Sequence, residues 1–167
     1  MPRLLVRKLE PDRMADAYPL IRHLAWVGNA QWEMFARQLA DKGGGVLAVE
    51  AEDGHIHGVA TYLPVTSLRH GKALRVEAIA AFELGHASPV RNLLSAALDE
   101  LARSEGCSAV VVSLDSKGML SPHSRRRCSW ESLGLTAEIV EFVRCLDGVA
   151  NSNQGAHIAD EVGQDMR

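Results

Sequence analysis

Cysteine is scarce in this chain and supplies no framework. Three cysteines in 167 residues, Cys107, Cys128 and Cys145, are odd in number and far apart. They read as core or incidental thiols in a reducing compartment, and not as a disulfide scaffold or a thiolate metal cage. The seven histidines lack any H-E-x-x-H or comparable spacing, so no metal is expected. No apolar run reaches the length that crosses a membrane. The opening MPRLLVRKL is too short and too charged for a secretory signal. Positive charge is not in excess either. The formal net charge is -3, which makes no case for nucleic acid or a membrane surface as partner. Internal repeats are absent. The expectation is a cytoplasmic globular protein, with a chain long enough for one real core.

The strongest pattern lies between residues 74 and 114: a strand, a turn, an amphipathic helix and an apolar strand. Val90, Leu93, Leu94, Ala97, Leu98, Leu101 and Ala102 recur at the spacing that lines one helical face. Ser88 suits the N-cap, and Pro89 suits the first helical position, where a missing N–H costs nothing. Gly106 falls where a helix ends in a left-handed residue. The run Ala109-Val110-Val111-Val112 then reads as a strand covered on both faces. A strand-helix-strand unit leaves helix N-terminal amides beside a strand end, which suits an anionic ligand.

In chain order, residues 4–9 read as a first strand ended by Pro11. Helical spacing follows over 14–25, bent or split by Pro19, and again over 31–41. Gly43-Gly44-Gly45 stops the second helix and reads as a flexible linker, because no Lys-Ser/Thr follows to make a phosphate loop. Strands over 46–51 and 56–63 flank Asp53-Gly54, a hairpin signal, and Pro64 ends the second. A turn at 69–72 leads into one strand over 74–82. After residue 114 come a polar loop, a basic segment over 123–127, a short helix over 129–135 and a last strand over 138–146. Residues 148–167 are polar and aperiodic and read as a disordered tail, leaving 1–147 as the domain. The fold class is α+β: three α/β/α layers around a mixed, mostly antiparallel sheet with one parallel crossover.

This order resembles the GNAT superfamily of acyl-CoA-dependent N-acyltransferases over roughly residues 4–146. In that family a loop of the form Arg/Gln-x-x-Gly-x-Gly/Ala opens the main helix and holds the CoA pyrophosphate on its backbone amides. The equivalent stretch is Gly85-His86-Ala87-Ser88-Pro89-Val90. Ser88 stands where glycine is usual, Val90 where glycine or alanine is usual, and Gly85 where arginine or glutamine is usual. Added side chains crowd a phosphate, and Pro89 has no N–H to donate. The Ser88 hydroxyl and Arg91, one position into the helix, offset part of that. Ser129-Trp130-Glu131-Ser132-Leu133-Gly134-Leu135 is similar to the end of the family's Asn-x-x-Ala-x-x-x-Tyr-x-x-x-Gly-Phe helix, with His123 at the asparagine and Trp130 at the tyrosine. In many members that tyrosine protonates the leaving thiolate; an indole N–H cannot do so near neutral pH.

The resemblance implies acetyl transfer from acetyl-CoA to the primary amine of a small molecule or peptide, by direct attack in a ternary complex and without metal. Glu77 is then the candidate base, since an ammonium must lose a proton before it attacks a thioester. It also reads as a half-exposed strand residue paired across the sheet with a basic neighbour such as Arg75 or Lys72. The backbone of Ile79, Ala80 and Ala81 would run along the pantetheine, and Gly85, His86, Ala87, Ser88, Val90, Arg91 and His123 would contact the rest of the cofactor. Arg125, Arg126 and Arg127 are candidates for the 3′-phosphate of CoA or form a solvated basic turn. Ser113 and Asp115 stand at a strand end where ligands bind open sheets. Trp26, Trp32 and Phe35 pack the core or line the acceptor pocket. Three readings remain open: the enzyme, a non-catalytic protein of the same fold binding CoA, another small ligand or a protein partner, and an unrelated α+β module. A homodimer through an exposed final strand is also left open.

Overall fold

The computed structural model describes residues 3–25, 27–82 and 89–143. Its sheet comes mainly from the alternating apolar stretches of the first half of the chain. β1 (Leu4–Lys8), β2 (Gly45–Ala51) and β3 (Ile56–Ser67) pair antiparallel in sequence order. β3 also pairs antiparallel with β4 (Gly71–Val76) and, further along, with β5 (Ile79–Ala81). β4 then pairs in parallel with β6 (Ala109–Val112). The spatial order is β1-β2-β3-β4-β6.

Two apolar clusters sandwich this sheet. On one face α1 (Met14–Ala25) and α2 (Asn29–Asp41) bury Met14, Ala17, Ile21, Trp32 and Ala36 against Val46, Ala48, Val59 and Ala80. Trp32 is only 2% exposed, and its indole N–H donates to the Met14 carbonyl at 2.7 Å. On the other face α3 (Pro89–Ser104) buries Val90, Leu94, Leu98 and Ala102 against Val49, Ala60, Leu74, Val76 and Ile79. The expected α+β, three-layer architecture with a mostly antiparallel sheet is what forms. α3 is the helix that the apolar spacing predicts, and it closes as expected: Gly106 has φ +68, and the Cys107 N–H reaches back to the Ala102 carbonyl at 2.8 Å. The Asp53-Gly54 hairpin also forms, with Gly54 at φ +82. The His55 backbone N–H donates to Asp53 and, with the His55 ring beside it, holds that carboxyl below its usual range.

Several expectations need correction. α1 is one helix that Pro19 does not split, and α2 begins two residues earlier than its apolar spacing suggests. The glycines after α2 are fixed by the fold, Gly43 by its backbone angle and Gly44 and Gly45 by close neighbours, and are not a linker. Gly43 closes the helix at φ +83, and a Cβ on Gly44 would meet the Tyr62 carbonyl at 2.3 Å. Gly45 is already the first residue of β2. Pro64 does not end β3, which continues to Ser67. Thr61 donates its N–H to the Ala78 carbonyl and His57 accepts from the Phe82 N–H, so alternation turns the Pro64 nitrogen away from β4. On that side β2 has already ended, with Gly45 opposite Tyr62. The missing N–H therefore interrupts no ladder.

Residues 71 and 72 belong to β4 instead of a turn, and the strand expected over 74–82 is broken at Glu77 and Ala78. β6 is half-buried throughout instead of covered on both faces, because among the described residues β4 is its one strand neighbour. The short helix α4 is Arg125–Glu131, capped by the Ser124 hydroxyl, so the basic segment forms its first turn.

The chain divides into two units, Met1–Leu135 and Thr136–Arg167. All elements above belong to the first. In the second, residues 136–143 carry neither helix nor strand, so the expected last strand is not formed over 138–143. Ile139, Val140, Phe142 and Val143 are exposed. Residues 144–146 and the tail from 148 lie outside the described residues. Among the described residues no helix is long and apolar enough to cross a membrane.

Candidate functional site

The break between β4 and β5 is a β-bulge. Arg75 lies opposite Leu63 and Ile79 opposite Ala60, so this strand has one residue more than β3 over the same stretch. Thr61 holds the bulge with both backbone and side chain. Its N–H donates to the Ala78 carbonyl at 2.9 Å, and its hydroxyl accepts the Ala78 N–H at 3.0 Å. Thr61 is 1% exposed, so water cannot replace that hydroxyl without opening the sheet. Thr61→Val keeps the shape and strands the Ala78 amide, at a cost of about 1–3 kcal/mol. Thr61→Ser should retain most of the stability, and denaturant titration of the two variants reads the difference.

The bulge sets Glu77 at the mouth of a cleft of about 230 Å³ on the α2 side of the sheet. Phe35, Leu39 and Leu63 form its apolar wall, and Gln38, Lys42, Thr61 and Arg75 supply polar atoms. The Glu77 carboxylate, with its side chain 47% exposed, accepts from Arg75 Nε at 3.1 Å. This is the basic neighbour the sequence suggested, and it leaves the carboxylate accessible from the cleft.

The sheet opens at the same bulge. The Ser113 N–H donates to the Val76 carbonyl at 2.8 Å, and from there β5 continues beside β3 alone among the described strands. Because Ala78, Ala80 and Phe82 turn their backbone groups toward β3, Ile79 and Ala81 turn theirs to the opposite side, into the opening. Of the three residues expected along a pantetheine, two present backbone donors and acceptors there, and Ala80 contributes a small buried side chain.

α3 begins just beyond this opening, close to the sheet because β3 has glycine at position 58. A Cβ on Gly58 would stand 2.3 Å from Val90 Cγ1 and 3.2 Å from Leu94 Cδ1. Val90 is buried in that contact, so its side chain faces the core, and its N–H belongs to the first turn of the helix. Arg91 is half-buried. It donates to Ser129 Oγ at 2.7 Å, and its guanidinium lies 5.5 Å from the centre of the Trp130 ring. Arg91 thus ties the start of α3 to α4.

Of the other candidates, Gly85, His86, Ala87 and Ser88 lie outside the described residues, as does Trp26. His123 is exposed, two residues before α4. Arg126 donates to the Lys117 carbonyl at 2.6 Å and Arg127 to Glu131 at 2.7 Å, so both serve the local fold. Asp115 accepts the Lys117 N–H at 3.0 Å. His55 is exposed and His57 half-buried, and both border a second depression with Phe82. Among the described residues no group of three or more His, Cys, Asp or Glu is arranged to hold a metal. Sequence reasoning missed Thr61, Gly58 and Lys42. Only Gly58 carried a signal, as an isolated glycine inside a strand pattern, which marks close approach of another element.

The chain has the GNAT fold, as comparison with solved structures establishes. An acetyltransferase from Trypanosoma brucei is 19% identical, with a TM-score of 0.66 over 86% of this chain and 100% of that one. The aminoglycoside N-acetyltransferase AAC(6')-Iy, solved in complex with CoA, is 14% identical, with a TM-score of 0.70 over 87% of this chain and 96% of that one. Glucosamine-6-phosphate N-acetyltransferase from Arabidopsis thaliana is 15% identical, with a TM-score of 0.65 over 87% and 99%. At these identities the likeness concerns the fold. It shows that the order of elements is that of this fold. No family model matches the sequence, and no curated protein matches it.

Proposed function

We propose that the protein is an acyl-CoA-dependent N-acyltransferase that moves an acetyl group from acetyl-CoA to a primary amine by direct attack. The observation that carries this reading is the bulge at Glu77 and Ala78. One residue break opens the sheet and sets an accessible carboxylate at the edge of a cleft. The opening offers the backbone groups of Ile79 and Ala81 to an extended amide-bearing arm. The first turn of α3 and the Arg91 side chain lie where phosphates would be held. Acetyl-CoA would supply an activated thioester carbonyl. Glu77 takes the proton from the acceptor ammonium, which frees the lone pair for attack. Trp130 supplies no acid, so water protonates the leaving thiolate.

A second reading, a non-catalytic protein of this fold that binds CoA, is favoured by one observation. Trp130 stands at the family's tyrosine, and its ring lies beneath Arg91. Thermal unfolding with and without saturating acetyl-CoA tests the shared part of both readings. Ligand at about a hundred times its dissociation constant adds roughly 2.7 kcal/mol, which for a chain of this size raises the midpoint by about 5–10 °C. An unchanged midpoint at millimolar acetyl-CoA would remove both. A shift with no turnover of any amine would leave the non-catalytic reading.

A further inference from the structure

The cleft beside Glu77 has a charge pattern that selects among amines. Arg75 and Glu77 place opposite charges 3.1 Å apart, with side chains 36% and 47% exposed. A pair so open to water is weakly held and can exchange partners. Lys42, which caps the C-terminal end of α2, borders the same cleft, so two cations stand around one carboxylate among the described lining residues. Phe35, Leu39 and Leu63 make the remaining wall apolar. The volume, about 230 Å³, lies below the roughly 300–1,000 Å³ of pockets that take drug-sized ligands.

Each of these features narrows the occupant. The volume suits a small ligand. Two cations repel a polyamine or an aminoglycoside, which carries several ammonium groups. Adjacent opposite charges match a molecule that bears an ammonium and an anion on one carbon, a separation of the same order as that between Arg75 and Glu77. The apolar wall matches a hydrocarbon side chain on that carbon.

We propose that this cleft takes a small α-amino acid with an apolar side chain as the acyl acceptor. Its ammonium sits against Glu77, its carboxylate against Arg75 and Lys42, and its side chain against Phe35, Leu39 and Leu63. The proposal rests on the acyl-transfer reading for the fate of the amine, and binding itself does not require it. In the transfer step Glu77 takes one proton from the ammonium, the freed nitrogen bonds to the acetyl carbon, the carbon–sulfur bond breaks, and the second proton on nitrogen passes through water to the departing thiolate.

Calorimetric titration of the full chain without acetyl-CoA tests the cleft directly, using leucine, leucinamide and kanamycin as probes. Leucinamide keeps the amine and side chain and lacks the anion; kanamycin is polycationic. Leucine should bind at least tenfold more tightly than leucinamide, and kanamycin should not bind. Lys42→Glu should weaken leucine at least tenfold and reverse the preference toward leucinamide. Lys42→Gln, the milder change, should weaken leucine while leaving leucinamide within about twofold. Arg37→Glu, on α2 but outside the cleft lining, should alter neither. Leucinamide or kanamycin binding better than leucine overturns the assignment, as does failure of leucine to bind at millimolar concentration. A separate titration with acetyl-CoA keeps the two readings apart. Leucine binding with no acetyl-CoA binding upholds the cleft and removes acyl transfer, whereas acetyl-CoA binding with no leucine binding does the reverse.

Discussion

Replacing Glu77 by glutamine is expected to lower kcat by about 10²–10⁴-fold, the usual range for loss of a general base. Glutamine preserves the side chain's size and its carbonyl oxygen, so the contact with Arg75 Nε at 3.1 Å survives. What is lost is the negative charge and, with it, the capacity to accept a proton. Affinity for acetyl-CoA should not change, because the backbone groups of Ile79 and Ala81 lie on the other side of the bulge. A second signature separates a base from a structural carboxylate. Raising the pH toward the acceptor amine's own pKa supplies neutral amine without enzyme help, so the deficit of Glu77→Gln should shrink as pH rises. A variant with unaltered kcat at neutral pH would remove Glu77 from the mechanism.

A large loss of stability is also expected at Gly58. Adding one methyl there sets a carbon 2.3 Å from Val90 Cγ1, 3.2 Å from Leu94 Cδ1 and 3.3 Å from the Ala80 carbonyl. Val90 is β-branched and sits in the first turn of α3, so it cannot swing aside. The helix must lift from β3 or the strand must shift. Either response costs about 1–3 kcal/mol, or roughly 3–10 °C in the melting temperature for a chain of this size. The damage should reach the candidate cofactor opening, because α3 begins there, and acetyl-CoA should then protect Gly58→Ala less than the parent. Adding Val90→Ala removes the clashing methyl and should restore part of the stability, which makes the pair strongly non-additive. Full additivity of the two losses would contradict the packing argument.

Different parts of the molecule were legible in the sequence for different reasons. α3 was readable because its stability derives from one apolar stripe, and the positions that form that stripe are the ones that bury. The hairpin at Asp53-Gly54 was readable because its left-handed backbone selects glycine. Pro64 misled because a proline ends a strand only when its nitrogen must donate, and sequence does not say which edge a residue faces. The bulge was invisible for a related reason. It arises from a mismatch of one residue between two strands, fixed by the hydroxyl of Thr61, and no local pattern around Glu77 records it. Glu77 itself was reached through a resemblance, and the structure adds the cleft. Lys42 carried no signal of its own, because it joins a cleft only once β3 and β4 are folded beside the end of α2.

Pro64 has a consequence for how the protein behaves when crowded. Where β2 stops, the flank of β3 would ordinarily offer a row of amides to any extended chain that drifts past, the usual beginning of runaway strand addition. A residue with no amide hydrogen interrupts that row, and the pyrrolidine ring stands in the way of a close neighbour. The same proline that seems to end a strand in the sequence therefore acts as a guard along its side. It lets β3 stay long enough to carry both β4 and β5 without inviting a stranger to join.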